Sequence, residues 1–204
     1  DAVLTMEMLA DDVAGLLEAL GVGGADVVGH SMGGYVALAL WELRPDVVRS
    51  LALVDTRAGG DGAEARTGRD AMIDRILDGG KSALADEMVR NLLGREPSRR
   101  AQARLRSMVE STRYETLVAA IEGMKDRKDR TAILPTISVP TVVIGGEEDT
   151  LIPPDKIREV SAGISGARTS IIARAGHLTP IEQPDPVNQA LIELFEGRKV
   201  VWWR

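Results

Sequence analysis

Apolar residues along this chain alternate between a helical and a strand-like spacing. Over 5–20 they fall at Met6, Leu9, Val13, Leu16, Leu17 and Leu20, the spacing of one helical face, with Thr5 placed to cap its start. The run Gly-Val-Gly-Gly at 21–24 ends that helix, and Ala25-Asp26-Val27-Val28 follows as a short β-branched run. A second helix is expected over 35–41 and is stopped by Arg44-Pro45; the apolar run 48–54 then reads as a strand buried on both faces of a parallel sheet. From 63 to about 125 the period is helical throughout, in four stripes: Met72, Ile73, Ile76 and Leu77; Leu84, Met88, Val89, Leu92 and Leu93, closed by Gly94; Leu105, Met108 and Val109; and Leu117, Val118, Ile121 and Met124. A charged linker over 125–130 leads to strands over 141–144 and 167–173, with helices opening at Pro154 and Pro184. Val187, Leu191, Leu194 and Phe195 are expected to face inward from the last helix. Strands alternating with helices predict an α/β fold, a mostly parallel sheet flanked by helices, with a helical insertion after its second strand.

Composition narrows this picture without redirecting it. The 204 residues suit one domain with a small insertion, and an apolar fraction of 44% suits a buried core. A net charge of −6 with dispersed basic residues gives no reason to expect a nucleic-acid partner. No apolar run approaches ~18 residues, so no membrane span is expected. The absence of cysteine excludes disulfides and thiol chemistry but does not fix the compartment; a cytoplasmic location is the working expectation. No metal and no cofactor are expected.

The chemistry concentrates at Gly29-His30-Ser31-Met32-Gly33, a G-x-S-x-G pattern between a strand and a helix. In that context the pattern is a nucleophile elbow, with Gly29 and Gly33 expected to supply clearance, Gly34 adding more, and Ser31 lifted to the carboxyl edge of the sheet. A serine hydroxyl needs a base, and the base needs an anion to fix its tautomer. Asp149, after the strand 141–144, and His177, after the strand 167–173, lie past strand ends on the edge where open α/β sheets build their sites. Asp55 also ends a strand and competes with Asp149 for the role of acid, its plainer role being to cap the loop entering the insertion. Glu147 and Glu148 read as solvated, Glu182 as the anchor of the His177 loop, and His30 as structural, pointing away from the nucleophile.

The chain order Ser, Asp, His resembles that of the α/β-hydrolase superfamily, and the resemblance covers about 5–197. The matching stretches are 28–34 (Val-Gly-His-Ser-Met-Gly-Gly), 145–154 (Gly-Gly-Glu-Glu-Asp-Thr-Leu-Ile-Pro-Pro) and 175–184 (Ala-Gly-His-Leu-Thr-Pro-Ile-Glu-Gln-Pro), and they look most like small 3-oxoadipate enol-lactonase-like esterases. The resemblance implies a hydrolase core over 1–56 and 131–204, a helical cap over 57–130, and a Ser31–His177–Asp149 triad acting on a small-molecule ester or lactone. It further implies that the Met32 backbone N–H is one oxyanion donor, with a second on a loop upstream. It also implies several strands before the first helix, on the order of 60 residues, which do not occur here. The chain is therefore expected to be a fragment or processed piece, one whose missing part lies elsewhere, or a natural truncation. The strand 25–28 would then expose a sheet edge, to be covered by a complementing N-terminal segment or a homodimer. The apolar tail Val200-Val201-Trp202-Trp203 is unlike the family's ending and is expected to pack into a groove, to mediate association, or to be the scar of a frameshift or of cloning. Two other readings stand: a non-catalytic binding or assembly piece, and a cofactor-free perhydrolase, haloperoxidase or C–C bond hydrolase. A dehalogenase is disfavoured, because its nucleophile would be Asp where Ser31 stands.

Overall fold

A computed structural model describes residues 3–196; the tail 200–203 lies outside them. Helix α1 (Met6–Ala19) leads to strand β1 (Ala25–His30), helix α2 (Met32–Leu43) and strand β2 (Val48–Val54). Helices α3 (Ala63–Leu92), α4 (Arg99–Ser111) and α5 (Tyr114–Lys125) follow without an intervening strand. Strand β3 (Thr141–Gly146), helix α6 (Pro154–Ala162), strand β4 (Arg168–Ile172), the short helix α7 (Thr179–Glu182) and helix α8 (Pro184–Glu196) complete the order. The four strands are all parallel in the order β1-β2-β3-β4, with Leu51 opposite both Val27 and Thr141.

The period of two along the strands divides the core. Leu51, Leu53 and Val143 face α1, α2 and α6, packing with Leu38, Ile157 and Val160. Ala52, Val54, Val142 and Ile144 face the other way, onto Val187, Ala190 and Leu194 of α8, with Leu191 and Phe195 partly buried beside them. All but one position of β2 is buried, as a strand covered on both faces requires. Removing the side chain of Leu51 or Leu53 would cost about 2–5 kcal/mol.

The helices between β2 and β3 hold a core of their own, built from Ile73, Ile76, Leu84, Leu105, Val109 and Ile121. The first two apolar stripes of the sequence sit on the two helical segments of α3, which is broken at Gly80, where φ is 76° and ψ 170°. Of the four stripe methionines, Met72, Met88 and Met124 pack against this core, whereas Met108 is exposed.

Helix α1 corrects one expectation. Its start is as expected, with Thr5 Oγ1 accepting from the Met8 N–H at 3.1 Å. Its buried face, however, runs through Met6, Ala10 and Ala14, with Leu9 and Leu17 partly buried, while Val13, Leu16 and Leu20 are exposed. The alanines let α1 lie close against α2, and the same 3.6 period accommodates either stripe. Strand β1 lies at the sheet edge: among the described residues its only partner is β2, and Val28 is 47% exposed.

Candidate active site

Ser31 sits between the end of β1 and the start of α2 with φ 51° and ψ −112°, a region that side chains avoid. Three hydrogen bonds hold it there. Its N–H donates to the Val54 carbonyl at 2.8 Å, and its carbonyl accepts from the Gly34 N–H at 2.9 Å and the Thr56 hydroxyl at 2.8 Å. A Cβ at Gly29 would run into the Gly33 carbonyl, and one at Gly34 into the Thr56 side chain. Gly33 itself departs from expectation: a Cβ there would meet nothing within 4 Å, so the clearance comes from Gly29 and Gly34. Met32 is the first residue of α2, and its N–H has no carbonyl one turn earlier to bond within the helix.

Asp149 follows β3 in a tight turn of its own making. Its Oδ1 accepts from the Leu151 N–H at 2.8 Å and the Ile152 N–H at 2.9 Å, which leaves Oδ2 aimed outward. That Oδ2 stands 2.7 Å from His177 Nδ1, and His177 Nε2 stands 2.8 Å from Ser31 Oγ. With a carboxylate at Nδ1, the imidazole carries its proton there, and Nε2 accepts from the Ser31 hydroxyl. Asp149 and His177 are each only 3% exposed. The histidine loop crosses over β3 where only glycine fits, since a Cβ at Gly146 would overlap the carbonyls of Ala175 and Gly176. The structure thus brings Ser31, His177 and Asp149 into one hydrogen-bonded chain.

Asp55 does not join that chain, nor does it cap the loop into the insertion. Fully buried at φ 47°, it accepts from the Gly146 N–H at 3.1 Å, the Thr179 N–H at 3.2 Å and the Thr179 hydroxyl at 2.7 Å. It ties β2 to β3 and to the segment after His177. His30 Nε2 lies 3.2 Å from Asp55 Oδ2 and 2.8 Å from the His177 carbonyl, and both partners accept, so Nε2 carries a proton. Burial alone would pull His30 down, but the Asp55 hydrogen bond and charge, aided by the His177 carbonyl, hold it above its ordinary value. His30 therefore points away from Ser31, as expected, and supports the histidine loop from behind.

Glu182 anchors that loop through backbone N–H groups. Glu148, read from sequence as solvated, instead accepts from the Arg95 N–H at 2.6 Å. Nothing local in the sequence announces that contact, because Arg95 approaches from the far end of α3. A cavity of about 490 Å³ borders Asp149, Glu147 and Glu148 on one side and Arg90, Asn91 and Arg95 on the other. Among the described residues no cluster of three His, Asp or Glu side chains is arranged to hold a metal ion, and no helix is long and apolar enough to cross a membrane.

The chain is similar to known proteins over nearly its whole described length. The family model described as "Alpha/beta hydrolase family" matches residues 2–190. A thermophilic esterase from Thermogutta terrifontis, solved with malate bound, superposes with a TM-score of 0.91 at 37% identity, over 96% of this chain and 74% of that one. The enol-lactonase from Burkholderia xenovorans LB400 superposes with a TM-score of 0.85 at 28% identity, over 95% and 74%. A protein of Mycobacterium tuberculosis named as a non-heme bromoperoxidase, BpoC, is 29% identical over 218 residues, covering 96% of this chain and 77% of that protein.

Proposed function

The chain belongs to the alpha/beta hydrolase family, and from that membership we propose that it is a serine hydrolase cleaving a carboxylic ester or lactone of a small molecule through an acyl-enzyme. The observation that carries the proposal is the unbroken pair of contacts, Ser31 Oγ to His177 Nε2 at 2.8 Å and His177 Nδ1 to Asp149 Oδ2 at 2.7 Å. The likeness to the Thermogutta terrifontis esterase and the Burkholderia xenovorans enol-lactonase supports the choice of ester or lactone.

In this reading Ser31 Oγ attacks the substrate carbonyl while His177 Nε2 takes its proton. Asp149 holds the imidazole in the productive tautomer and stabilises its cation. The tetrahedral oxyanion is met by the Met32 N–H, at the positive end of α2. His177 gives its proton to the leaving oxygen, then acts as base again for the water that resolves the acyl-enzyme. In the same reading residues 57–130 form a helical cap over a hydrolase core made by the described segments on either side of it, and α3–α5 supply walls of the acyl pocket. A short p-nitrophenyl ester tests the proposal: hydrolysis by the chain that disappears in Ser31→Ala supports it, and a rate equal in the two refutes it.

The likeness to the protein named as a bromoperoxidase favours a second reading, in which the same acyl-enzyme is resolved by peroxide. Formation of peracid from acetate and hydrogen peroxide, faster than ester hydrolysis, would select it.

A further inference from the structure

The peptide groups around His177 are bonded to the helical insertion as well as to their own loop. Glu182 Oε1 accepts from the Gly176 N–H at 2.9 Å and the Leu178 N–H at 3.3 Å, and its Oε2 accepts from the Gly94 N–H at 2.7 Å. The N–H between them, that of His177, donates to the Leu92 carbonyl at 2.7 Å. All three consecutive donors at 176–178 are thus occupied, two by Glu182 and one by the segment that leaves α3. On the far side of Gly94, Glu148 holds the Arg95 N–H. The segments touch backbone to backbone: a Cβ at Gly176 would lie 2.5 Å from the Gly94 nitrogen and 2.6 Å from the Leu93 carbonyl carbon. Leu178, next to His177, is buried in the hydrophobic core of the insertion, with Leu93 in the same cluster.

We propose that Glu182 is a positioning residue that locks the His177 loop to the 92–95 segment of the insertion, so that His177 reaches Ser31 only while that segment is docked. The insertion then sets the position of the base as well as the walls around the substrate. This rests on the reading of His177 as the catalytic base. A roof over a pocket has no need to bond the N–H of the base itself, and a self-sufficient loop has no need of an acceptor 85 positions earlier in the chain.

The ionisation of Glu182 points the same way. Burial raises its carboxyl above the ordinary value and outweighs the pull of the Gly94, Gly176 and Leu178 donors, with the Asp55 charge adding to the rise. A raised carboxyl stabilises the fold fully only below its unfolded value, and that contribution is lost as pH rises through the folded one. Ionised Glu182 is thus held by its three backbone donors against the cost of its burial.

Two variants test the lock from opposite sides. Glu182→Gln keeps the shape but sets an amide NH₂ against a backbone donor. It is expected to slow fluorophosphonate labelling of Ser31 and kcat for a short ester by ~10²-fold, the scale of a 1 Å misplacement, with KM little changed. Gly94→Ala starts from the insertion side, setting its Cβ 2.9 Å from Glu148 Oε2 and 3.2 Å from Glu182 Oε2 and the Gly176 nitrogen, so it pries the joint apart and is expected to speed amide exchange at 176–178 as much as at 92–95. Labelling of Glu182→Gln at the unmodified rate, or exchange in Gly94→Ala confined to 92–95, would overturn the proposal. If the unmodified chain is not labelled at all, the hydrolase reading fails separately, and the exchange comparison still decides whether the two segments are locked.

Discussion

Asp149 and Asp55 are both buried carboxylates at strand ends, and their donors separate them. Asp149 gives one oxygen to its own turn and keeps the other for His177, whereas Asp55 is engaged by Gly146, Thr179 and His30. Asp149→Asn is accordingly expected to lower kcat by about 10⁴, by favouring the wrong imidazole tautomer. Asp55→Asn is expected to act mainly on stability, since it weakens a knot that joins β2, β3 and the loop. Steady-state kinetics beside urea unfolding of both variants distinguish the two, and a larger kinetic loss in Asp55→Asn would reverse the assignment. Ser31 and His177 were legible in the sequence because each follows a strand and the pattern around Ser31 is specific. Asp149 was preferred to Asp55 from the sequence although strand-end position is shared; the hydrogen-bond partners that separate the two are not written in local spacing. The roles of Glu148 and Glu182 toward the insertion were hidden for the same reason: their donors, Arg95 and Gly94, are remote in sequence.

At the scale of elements, the β1–α2 turn is where local conformation and chemistry meet. Ser31 has a positive φ that is tolerated because Gly29 and Gly34 leave room for the chain and because Val54 and Thr56 of the neighbouring strand and loop bond its backbone. Gly29→Ala is expected to destabilise the fold by about 2 kcal/mol or more, in the range of a severe backbone clash. Gly33→Ala, with open space at its Cβ and a helical position, is expected to leave stability equal or raise it by about 0.5–1 kcal/mol. Urea unfolding of both variants checks the contrast, and equal losses would show that the turn needs both glycines. The strands, their parallel order and the helical insertion were readable from the switch between periods of two and 3.6. The buried face of α1 was not, because hydrophobic size drew attention to Leu16 and Leu20, whereas close packing against α2 selects Ala10 and Ala14.

For the whole molecule, the position of β1 at the edge of the sheet formed by the described residues is the dominant feature. A strand at the edge offers a row of N–H and C=O groups to another chain, and here Val28, Leu16 and Leu20 are exposed along with it. The 204-residue chain by itself is therefore expected to run above its 21.9 kDa mass in size-exclusion chromatography with light scattering. A stable monomer at that mass would show that the edge is protected without a partner.

The central claim is that Ser31 is a nucleophile activated by His177. Intact-mass and peptide analysis after exposure to a fluorophosphonate reads it directly. The account predicts a single adduct, on Ser31, absent from Ser31→Ala and strongly slowed when His177 is replaced. An adduct on another residue, or one that persists in Ser31→Ala, would contradict it.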